Sequence, residues 1–276
     1  MKRVFLGSVA LVALSLGTSA AFAAEKRVPA YTPPPPPPAP VYTWTGCYVG
    51  ASAGTSYGHS QHFATEGSTF NTPALGVANR IPAGTAITDK FDLSGFIGGF
   101  QGGCNWQAGV WVFGIEGDGS ATNKSGQASE IPLTGLPGGV GSENWVSETQ
   151  ERWLVTARGR LGLSGWGWWG DRTLVYATGG AAWAKIDASE WAFLASGRGP
   201  IVTGHQESNV RSGWTVGGGI EYALGYGWSV KSEYLYVKFN DYTTFTTGPF
   251  AIGNVSPREV RLDDHIIRAG MNYKFW

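Results

Sequence analysis

Eight segments of the chain alternate apolar and polar side chains with a period of two, which is the pattern of half-buried β-strands. They cover approximately residues 43–55, 90–106, 110–119, 148–164, 172–186, 208–223, 228–240 and 259–276. Long, polar, glycine-rich connections at about 56–89, 120–147, 187–207 and 241–258 alternate with short turns at 107–109, 165–171 and 224–227. Such alternation between an even number of strands predicts an antiparallel sheet with all its long loops at one end.

The two faces of the predicted strands differ in polarity. In the last segment, Ile267 and Tyr273 share one face, whereas Arg268 and Lys274 share the other. The same division recurs in the other segments, and aromatic residues lie towards the ends of the apolar faces. The charged residues on the opposite faces are Glu116, Asp118, Arg158, Arg160, Glu221, Lys231, Glu233, Arg268 and Lys274. One side of the sheet is therefore apolar, and the other collects charges of both signs.

The polarity of the faces predicts which side of the sheet is inside. An eight-stranded barrel has an interior just wide enough for side chains, so it has no room for rings of tryptophan and tyrosine. The reverse arrangement places apolar faces against lipid, charges inside and aromatic residues at the two membrane interfaces. We therefore predict an all-β fold: a closed, eight-stranded, antiparallel up-and-down transmembrane β-barrel over residues 42–276, with short periplasmic turns and four long extracellular loops.

The inward charges predict how the lumen is filled. An unpaired charge that is shielded from water costs several kcal/mol, so these side chains should pair with one another. We expect a salt-bridge network that plugs the lumen. The alternative interpretation is a path for ions that is lined by the same groups.

Composition supports a β protein and excludes several other classes. The 276 residues include 42 glycines, 13 tryptophans, 11 tyrosines and 13 phenylalanines, and charged residues make up only 14%. Disordered chains lack aromatic residues, and proteins that bind nucleic acid carry a basic excess, whereas this chain has 20 basic and 20 acidic residues. We therefore expect a protein that faces something other than water on one side and has no nucleic-acid partner.

The N-terminal residues predict export. Residues 1–3 carry two positive charges, residues 4–16 are mostly apolar, and residues 21–23 provide a small-x-small cleavage site. We predict a signal peptide over residues 1–23, cleaved after Ala23, with cleavage after Ala24 as the alternative. No later segment is apolar for long enough to form a transmembrane helix, so the exported chain should cross a membrane only with strands.

A proline-rich linker over residues 24–41 follows the predicted cleavage site. The proline run 33–38 should form a stiff polyproline II rod, so the linker should extend roughly 30–40 Å in the periplasm. We interpret the linker as a spacer. The alternative is a ligand for peptidoglycan or for a periplasmic protein.

Several motifs together resemble one known family. They are WTGCYVG at 44–50, GFIGGFQGGCNWQ at 95–107, GWTVGGGIEY at 213–222, EYLY at 233–236 and RAGMNYKF at 268–275. Over about residues 42–276 the chain resembles the porin-like outer-membrane immunogenic proteins of alphaproteobacteria, small eight-stranded barrels related in fold to the transmembrane domain of outer membrane protein A. The resemblance implies an abundant, surface-exposed structural protein of the bacterial outer membrane, with no catalytic residues to carry over.

The resemblance also implies an assembly signal at the C-terminal end of the chain. The family typically ends in aromatic-x-Phe, which the barrel assembly machinery reads. Tyr273 and Phe275 match this signal, but Trp276 follows and shifts the last residue by one position on the strand. We expect these three residues to form the signal. The implied partners are the assembly machinery, outer-membrane lipid and lipopolysaccharide.

The two cysteines lie in strands that should be adjacent near the periplasmic end. Because the periplasm is oxidising, Cys47 and Cys104 favour a disulfide. The facing of the strands complicates this prediction. Asn105 should point inward, which sends Cys104 outward, whereas the facing of the first strand is ambiguous from its sequence.

Candidate catalytic and metal-binding residues have simpler explanations. The segment 50–54, GASAG, matches the spacing of a nucleophile elbow, but a strand continues where a helix would be needed. His59 and His62 lie in the first predicted loop and His205 in the third, and solvated histidines explain them better than a supported zinc site. His265 begins the last strand at the outer rim. We predict no catalytic, cofactor or metal site.

The predicted function is that of a non-enzymatic structural barrel which spans the outer membrane and displays four loops. One alternative is a small porin, or a transport or ligand-binding barrel for ions or small solutes. Another is a lipid-modifying enzyme, which would need a histidine paired with serine or aspartate on facing strands. No histidine falls in the interior of any predicted strand.

Overall fold

The computed structural model describes residues 42–72, 77–130, 144–165, 170–196, 199–244 and 255–275. The predicted signal peptide, the whole predicted linker and Trp276 lie outside the described residues. The strands are β1 Gly46–Thr72, β2 Val77–Arg80, β3 Phe91–Ala108, β4 Trp111–Thr122, β5 Ser125–Ser129, β6 Asn144–Ser164, β7 Thr173–Ser196, β8 Gly199–Gly225, β9 Trp228–Phe239, β10 Tyr242–Thr244 and β11 Val255–Lys274. Within these ranges, no helix is long and apolar enough to span a membrane.

Eight long strands pair in a closed ring. Each pairs antiparallel with the next in the order β1, β3, β4, β6, β7, β8, β9 and β11, and β11 pairs back with β1. The closing seam is long, because it runs from the Tyr48–Lys274 pair to the Phe70–Val255 pair. The predicted all-β, antiparallel, closed architecture is confirmed. The short strands β2, β5 and β10 add to the sheet beyond this ring and bring the described strands to eleven.

The strands are much longer than the sequence pattern predicted. The loops expected at 56–89 and 187–207 are largely strand, since β1 continues to Thr72 and the β7–β8 hairpin pairs as far as Ser196 and Gly199. Glycine, serine and threonine in these segments suggested irregular loops. Buried and exposed side chains nevertheless keep alternating along β1 beyond residue 56, and strand pairing satisfies the backbone polar groups. The barrel therefore continues as paired strands where long loops were expected.

The short turns lie at the opposite end. Between β8 and β9, Tyr226 and Gly227 have φ angles of 53° and 84°. Positive φ at both central residues is typical of the tight hairpin turn whose twist matches that of the flanking strands. Turns this short leave the strand ends little freedom to change register.

The two faces of the ring are inverted relative to a water-soluble barrel. Ile115, Trp214 and Phe275 point outward and are 59%, 49% and 58% exposed, whereas Arg158 and Glu221 point inward and are 4% and 2% exposed. Aromatic residues on the outer face gather near the short turns and again towards the other end; they include Trp111, Tyr222, Trp228, Tyr273, Trp183, Tyr234 and Tyr236. Apolar side chains therefore face outward, and aromatic residues mark two levels of the outer surface.

The outer surface becomes polar above the second aromatic level. Asp92, Lys185, Lys238 and Asp263 are the outward residues there. We take the membrane-spanning part to lie below them, in segments 48–58, 94–107, 111–122, 153–164, 173–184, 213–224, 228–237 and 265–275. Because the short turns of such barrels face the periplasm, we expect the remaining strand lengths to project from the cell surface.

Candidate functional site in the barrel interior

The side chain of Glu116 lies at the centre of the lumen and binds three cations. Inward-facing on β4, it lies 2.5 Å from Nη2 of Arg158, 2.9 Å from Nζ of Lys231 and 3.3 Å from Nη1 of Arg160. The Tyr48 hydroxyl donates a hydrogen bond of 2.6 Å to the same carboxylate. Period-two alternation on three strands, β1, β6 and β9, thus points four polar side chains at one buried anion on β4.

Two further carboxylates share two of the arginines. Asp118 accepts hydrogen bonds of 2.9 Å from Arg158 and 2.9 Å from Arg268. Glu233 lies 2.6 Å from Nη2 of Arg268 and 3.1 Å from Nη1 of Arg158, and it accepts a hydrogen bond of 2.9 Å from the Tyr176 hydroxyl. Each arginine therefore bridges carboxylates on different strands.

Glu221 connects the network to the periplasmic half of the lumen. Its carboxylate accepts hydrogen bonds of 2.8 Å from Arg160, 2.6 Å from the Ser229 hydroxyl and 2.8 Å from the Asn272 amide. The guanidinium of Arg160 also lies 3.9 Å from the centroid of the Tyr176 ring, which is the geometry of a cation–π contact.

The charges of this network cancel. Four carboxylates, Glu116, Asp118, Glu221 and Glu233, meet four cations, Arg158, Arg160, Lys231 and Arg268. Each cation contacts at least one carboxylate within 3.3 Å. Burial of an ion is costly unless such partners replace water. The arrangement can therefore exist in a lumen that water does not fill.

Lys274 was expected in this network, but the structure places it elsewhere. Its ammonium donates a hydrogen bond to the Thr43 carbonyl and lies 4.6 Å from the centroid of the Tyr42 ring. Since Lys274 is the last residue of β11, its flexible side chain reaches past the barrel end. The lumen network therefore forms from eight of the nine predicted residues.

A buried cluster around Trp44 lies at the short-turn end of the lumen. Trp44 is buried and packs with Val112, Leu174 and Ala223. Its indole N–H donates a hydrogen bond of 2.8 Å to the Ser164 hydroxyl, so the ring is fixed in orientation. Trp44 and Tyr48 point inward, which resolves the facing of the first strand.

Cys47 and Cys104 are joined by a disulfide and are direct partners in the β1–β3 register. With Tyr48 and Asn105 facing the lumen, both cysteines lie on the outer face. The bridge therefore connects the first two strands of the ring next to their periplasmic ends.

Apolar side chains fill the lumen above the ionic network. Along β11, the inward residues that follow Arg268 towards the cell surface are Ile266, Asp264, Leu262 and Val260. Most of them join one buried cluster, whose other large members include Phe91, Leu93, Ile97, Leu154, Leu235, Val237 and Phe239. Apolar side chains at this level offer a permeating ion no partner to replace its water, so only the buried polar groups among them could do so.

A second ionic cluster lies among these apolar residues. Nζ of Lys124 is 2.7 Å from Oε2 of Glu151 and also contacts the Asp264 carboxylate, and all three side chains are fully buried. Burial raises the pKa of Glu151 to about 8, against the attraction of Lys124. Burial lowers the pKa of Lys124, but the two carboxylates outweigh it and leave that pKa above its usual value. Because Lys124 lay in a predicted loop, no sequence signal marked this cluster.

A third buried ionic cluster, around Arg258, lies further from the short turns. Arg258 contacts Glu130 at 2.6 Å and Glu190 at 2.7 Å. His62 is buried nearby, and this burial, helped by the Arg258 charge, lowers its pKa to about 3. His62 was expected in a solvated loop, and that expectation is wrong, because β1 continues through residue 62 and turns its side chain inward.

The other histidines are distributed differently from the sequence prediction. His59 and His265 lie on the outer face at the rim, with Asp263 between them. Nδ1 of His59 is 3.4 Å from Oδ2 of Asp263, and Nε2 of His265 is 3.8 Å from the same oxygen. No metal site was predicted there, because the three residues approach only when the last strand pairs with the first. The side chain of His205 lies outside the described part of the chain.

The residues of the predicted assembly signal lie at the end of the last strand. Tyr273 and Phe275 point outward on the lipid-facing surface, and the Tyr273 ring lies 5.0 Å from that of Trp228, centroid to centroid. Trp276 lies outside the described residues. Their role in assembly stays a prediction.

A closed antiparallel ring with apolar side chains outside and paired charges inside defines the class of transmembrane β-barrels. Residues 9–275 match the family model of the outer membrane protein beta-barrel domain, and the chain belongs to this family. It is 32% identical, over 278 residues and the full length of both chains, to the 31 kDa outer-membrane immunogenic proteins of Brucella melitensis biotype 1 and Brucella suis biovar 1. The protein is thus a β-barrel of the bacterial outer membrane.

Solved structures of bacterial outer-membrane proteins match the chain at low sequence identity. The outer membrane protein OprG of Pseudomonas aeruginosa is 15% identical with a TM-score of 0.42, and the match covers 84% of this chain and 96% of that one. The outer membrane protease OmpT of Escherichia coli is 10% identical with a TM-score of 0.43, covering 84% and 98%. These distant matches carry no argument about function. The relatives of higher identity are named as immunogenic proteins rather than as enzymes.

Proposed function

We propose that the protein is a structural barrel with a sealed lumen, which spans the outer membrane and presents paired strands at the cell surface. The observation that carries this proposal is the neutral network around Glu116, in which every carboxylate has a cation within 2.9 Å. A channel for ions would instead need charged groups that water can reach.

The levels above and below the network support the same function. Trp44 and its neighbours fill the periplasmic end, and the apolar cluster around Leu235 fills the lumen towards the cell surface. A permeating ion would have to break buried ion pairs, whose disruption typically costs several kcal/mol. It would then cross a mainly apolar layer, in which the buried charges of Lys124, Glu151 and Asp264 are already paired. Each level separately opposes conduction.

The surface role follows from the strand lengths. The β7–β8 hairpin continues for more than ten residues beyond Trp183, which lies at the upper aromatic level. The Brucella relatives are named as immunogenic. We propose by analogy that this hairpin is a surface antigen, and that the structural function of the barrel is to hold it.

Conductance in planar lipid bilayers tests the sealed lumen. The refolded mature protein, shown to be folded by its heat-modifiable gel mobility, should give no steady open-channel steps, while a general porin in the same bilayer should conduct. Steady steps of porin size would overturn the proposal and favour the transport alternative.

A further inference from the structure

Four polar side chains cluster on the outer face of the barrel at its upper rim. Asp92, His59 and Asp263 lie in one row, because His59 pairs with Asp92 in the β1–β3 register and with Asp263 in the β1–β11 register. His265 lies two residues from Asp263 on the same face of β11. The cluster therefore spans the seam at which the first and last strands close the ring.

We propose that His59, Asp263 and His265 bind a divalent transition-metal ion, with Zn²⁺ as the best-fitting ion. Imidazole nitrogens and a carboxylate oxygen are ligands that zinc commonly takes from proteins. Two histidines and one carboxylate also match the composition of zinc sites that keep one position for an outside ligand.

The distances between the donor atoms fit this ion. In a tetrahedral site with bonds of about 2.0–2.1 Å, the donor atoms lie about 3.3–3.4 Å apart. Nδ1 of His59 lies 3.4 Å and Nε2 of His265 lies 3.8 Å from Oδ2 of Asp263, and donor atoms of all three residues lie within 4.8 Å of one another. Small side-chain rotations would bring the three donors into the metal's coordination sphere.

Each histidine has a partner on its other ring nitrogen. Nε2 of His59 lies 3.4 Å from Oδ1 of Asp92, and Nδ1 of His265 lies 2.7 Å from the Tyr234 hydroxyl. Metal-binding histidines commonly use their second nitrogen in this way, which fixes the ring and the position of the proton. Asp92 and Tyr234 therefore act as positioning residues.

The site is open on one side. The side chains of His59, Asp263 and His265 are 35%, 23% and 39% exposed, so a water molecule can complete the coordination. Because all ligands stand on paired strands, the backbone holds them in place before the ion arrives.

Three cations line the groove that also contains His59 and Asp263: Lys90, Lys238 and Arg261. Arg261 is paired with Glu259 at 2.8 Å and Asp241 at 3.6 Å, which offsets its charge. The positive charges of the two lysines repel a metal cation, so we expect the affinity for Zn²⁺ to be moderate. The same two charges would attract a phosphate-type anion, which is the alternative ligand for this groove.

Metal binding to the refolded, untagged mature barrel tests the proposal. After treatment with chelator, Zn²⁺ titrated by calorimetry should bind with one ion per barrel. His59→Ala and His265→Ala should each weaken binding by more than about 100-fold, and Asp92→Asn should weaken it about 10–100-fold. Gln61→Ala, on the same face of the same strand, should change nothing. Co²⁺ at the site should give the strong visible absorption of tetrahedral coordination.

Three outcomes would overturn the metal site. They are the absence of binding at micromolar Zn²⁺, binding that persists in the double His59→Ala and His265→Ala variant, and binding of inorganic phosphate that Lys238→Ala removes while Zn²⁺ does not bind. The gel mobility of each variant verifies that it has folded. Because the ligands face outward, failure of this test leaves the sealed lumen unaffected, and conductance leaves the metal site unaffected.

Discussion

Glu116 and Arg158 are direct partners in the β4–β6 register, and Nη2 of Arg158 lies 2.5 Å from Oε1 of Glu116 inside the barrel. Arg158 also contacts Asp118 and Glu233, so one guanidinium joins three carboxylates. This arrangement makes Arg158 the cation whose loss the network should tolerate least.

Replacement of Arg158 should destabilise the folded barrel strongly. Arg158→Met keeps much of the side-chain volume but leaves four carboxylates facing three cations, and uncompensated buried charge typically costs about 3–5 kcal/mol. The measurement is the urea midpoint of unfolding in lipid vesicles, followed by heat-modifiable gel mobility.

A surface arginine provides the control for this change. Arg152 pairs with Asp187 at 2.8 Å, but its side chain is 50% exposed. Exposed pairs contribute about 0–1 kcal/mol, so Arg152→Met should leave the midpoint nearly unchanged. Equal midpoints for the two variants would show that the lumen charges are hydrated rather than paired.

Substitution by alanine should destabilise the barrel at one of two consecutive glycines on β3 and not at the other. A Cβ atom at the inward Gly103 would collide with the Ile115 carbonyl and lie 2.7 Å from the Tyr48 hydroxyl, whereas at the outward Gly102 the nearest atom, the Tyr48 carbonyl oxygen, is 3.5 Å away. Gly103→Ala should therefore displace Tyr48 and cost about 1–3 kcal/mol.

Gly102→Ala is the matched control, since its Cβ faces the lipid with ordinary contacts. We expect its urea midpoint to stay within experimental error of the wild type. If both alanine variants were equally stable, the packing of Tyr48 against β3 would have to be looser than the structure shows.

His62 should make the extracellular end of the barrel sensitive to acid. Its pKa is lowered to about 3 by burial and by Arg258, from an ordinary value of 6.5. When the pH is below the ordinary pKa, His62 is protonated in the unfolded chain but stays neutral in the folded barrel. The free energy of unfolding therefore falls as the pH falls towards the lowered pKa. Near a pH of about 4.5, this loss should be about 2–3 kcal/mol.

The His62→Gln variant isolates this contribution. Glu151, with a raised pKa of about 8, acts in the opposite direction, because its protonated form stabilises the fold as the pH falls. Both proteins share Glu151, so the difference between their unfolding free energies at neutral and acid pH reports His62 alone. A constant difference across that range would mean that His62 titrates normally.

The ionic lumen could be predicted from the sequence because period-two alternation fixes facing. Arg158 and Arg160 are separated by one residue, so both had to share a face with Glu116 once their strands were recognised. Lys274 was misplaced because alternation gives the direction of a side chain but not its reach at a strand end.

The ionic groups nearer the cell surface escaped prediction for another reason. Lys124 and Arg258 lie in stretches rich in glycine, serine and threonine, which are typical of loops. The pairing that makes these stretches strands comes from neighbouring strands rather than from local sequence preference. The rim cluster of His59 and His265 escaped because closure of the ring joins residues from opposite ends of the barrel sequence.

Chemical labelling of the lumen tests the sealed interior most directly. Both native cysteines are first replaced by Cys47→Ser and Cys104→Ser. Leu235→Cys then introduces a thiol where the side chain is 0% exposed, whereas Asn240→Cys introduces one at the exposed residue that follows β9. A small cationic thiol reagent should label Asn240→Cys rapidly and Leu235→Cys only after unfolding in urea. Similar labelling rates in the folded protein would contradict a sealed lumen.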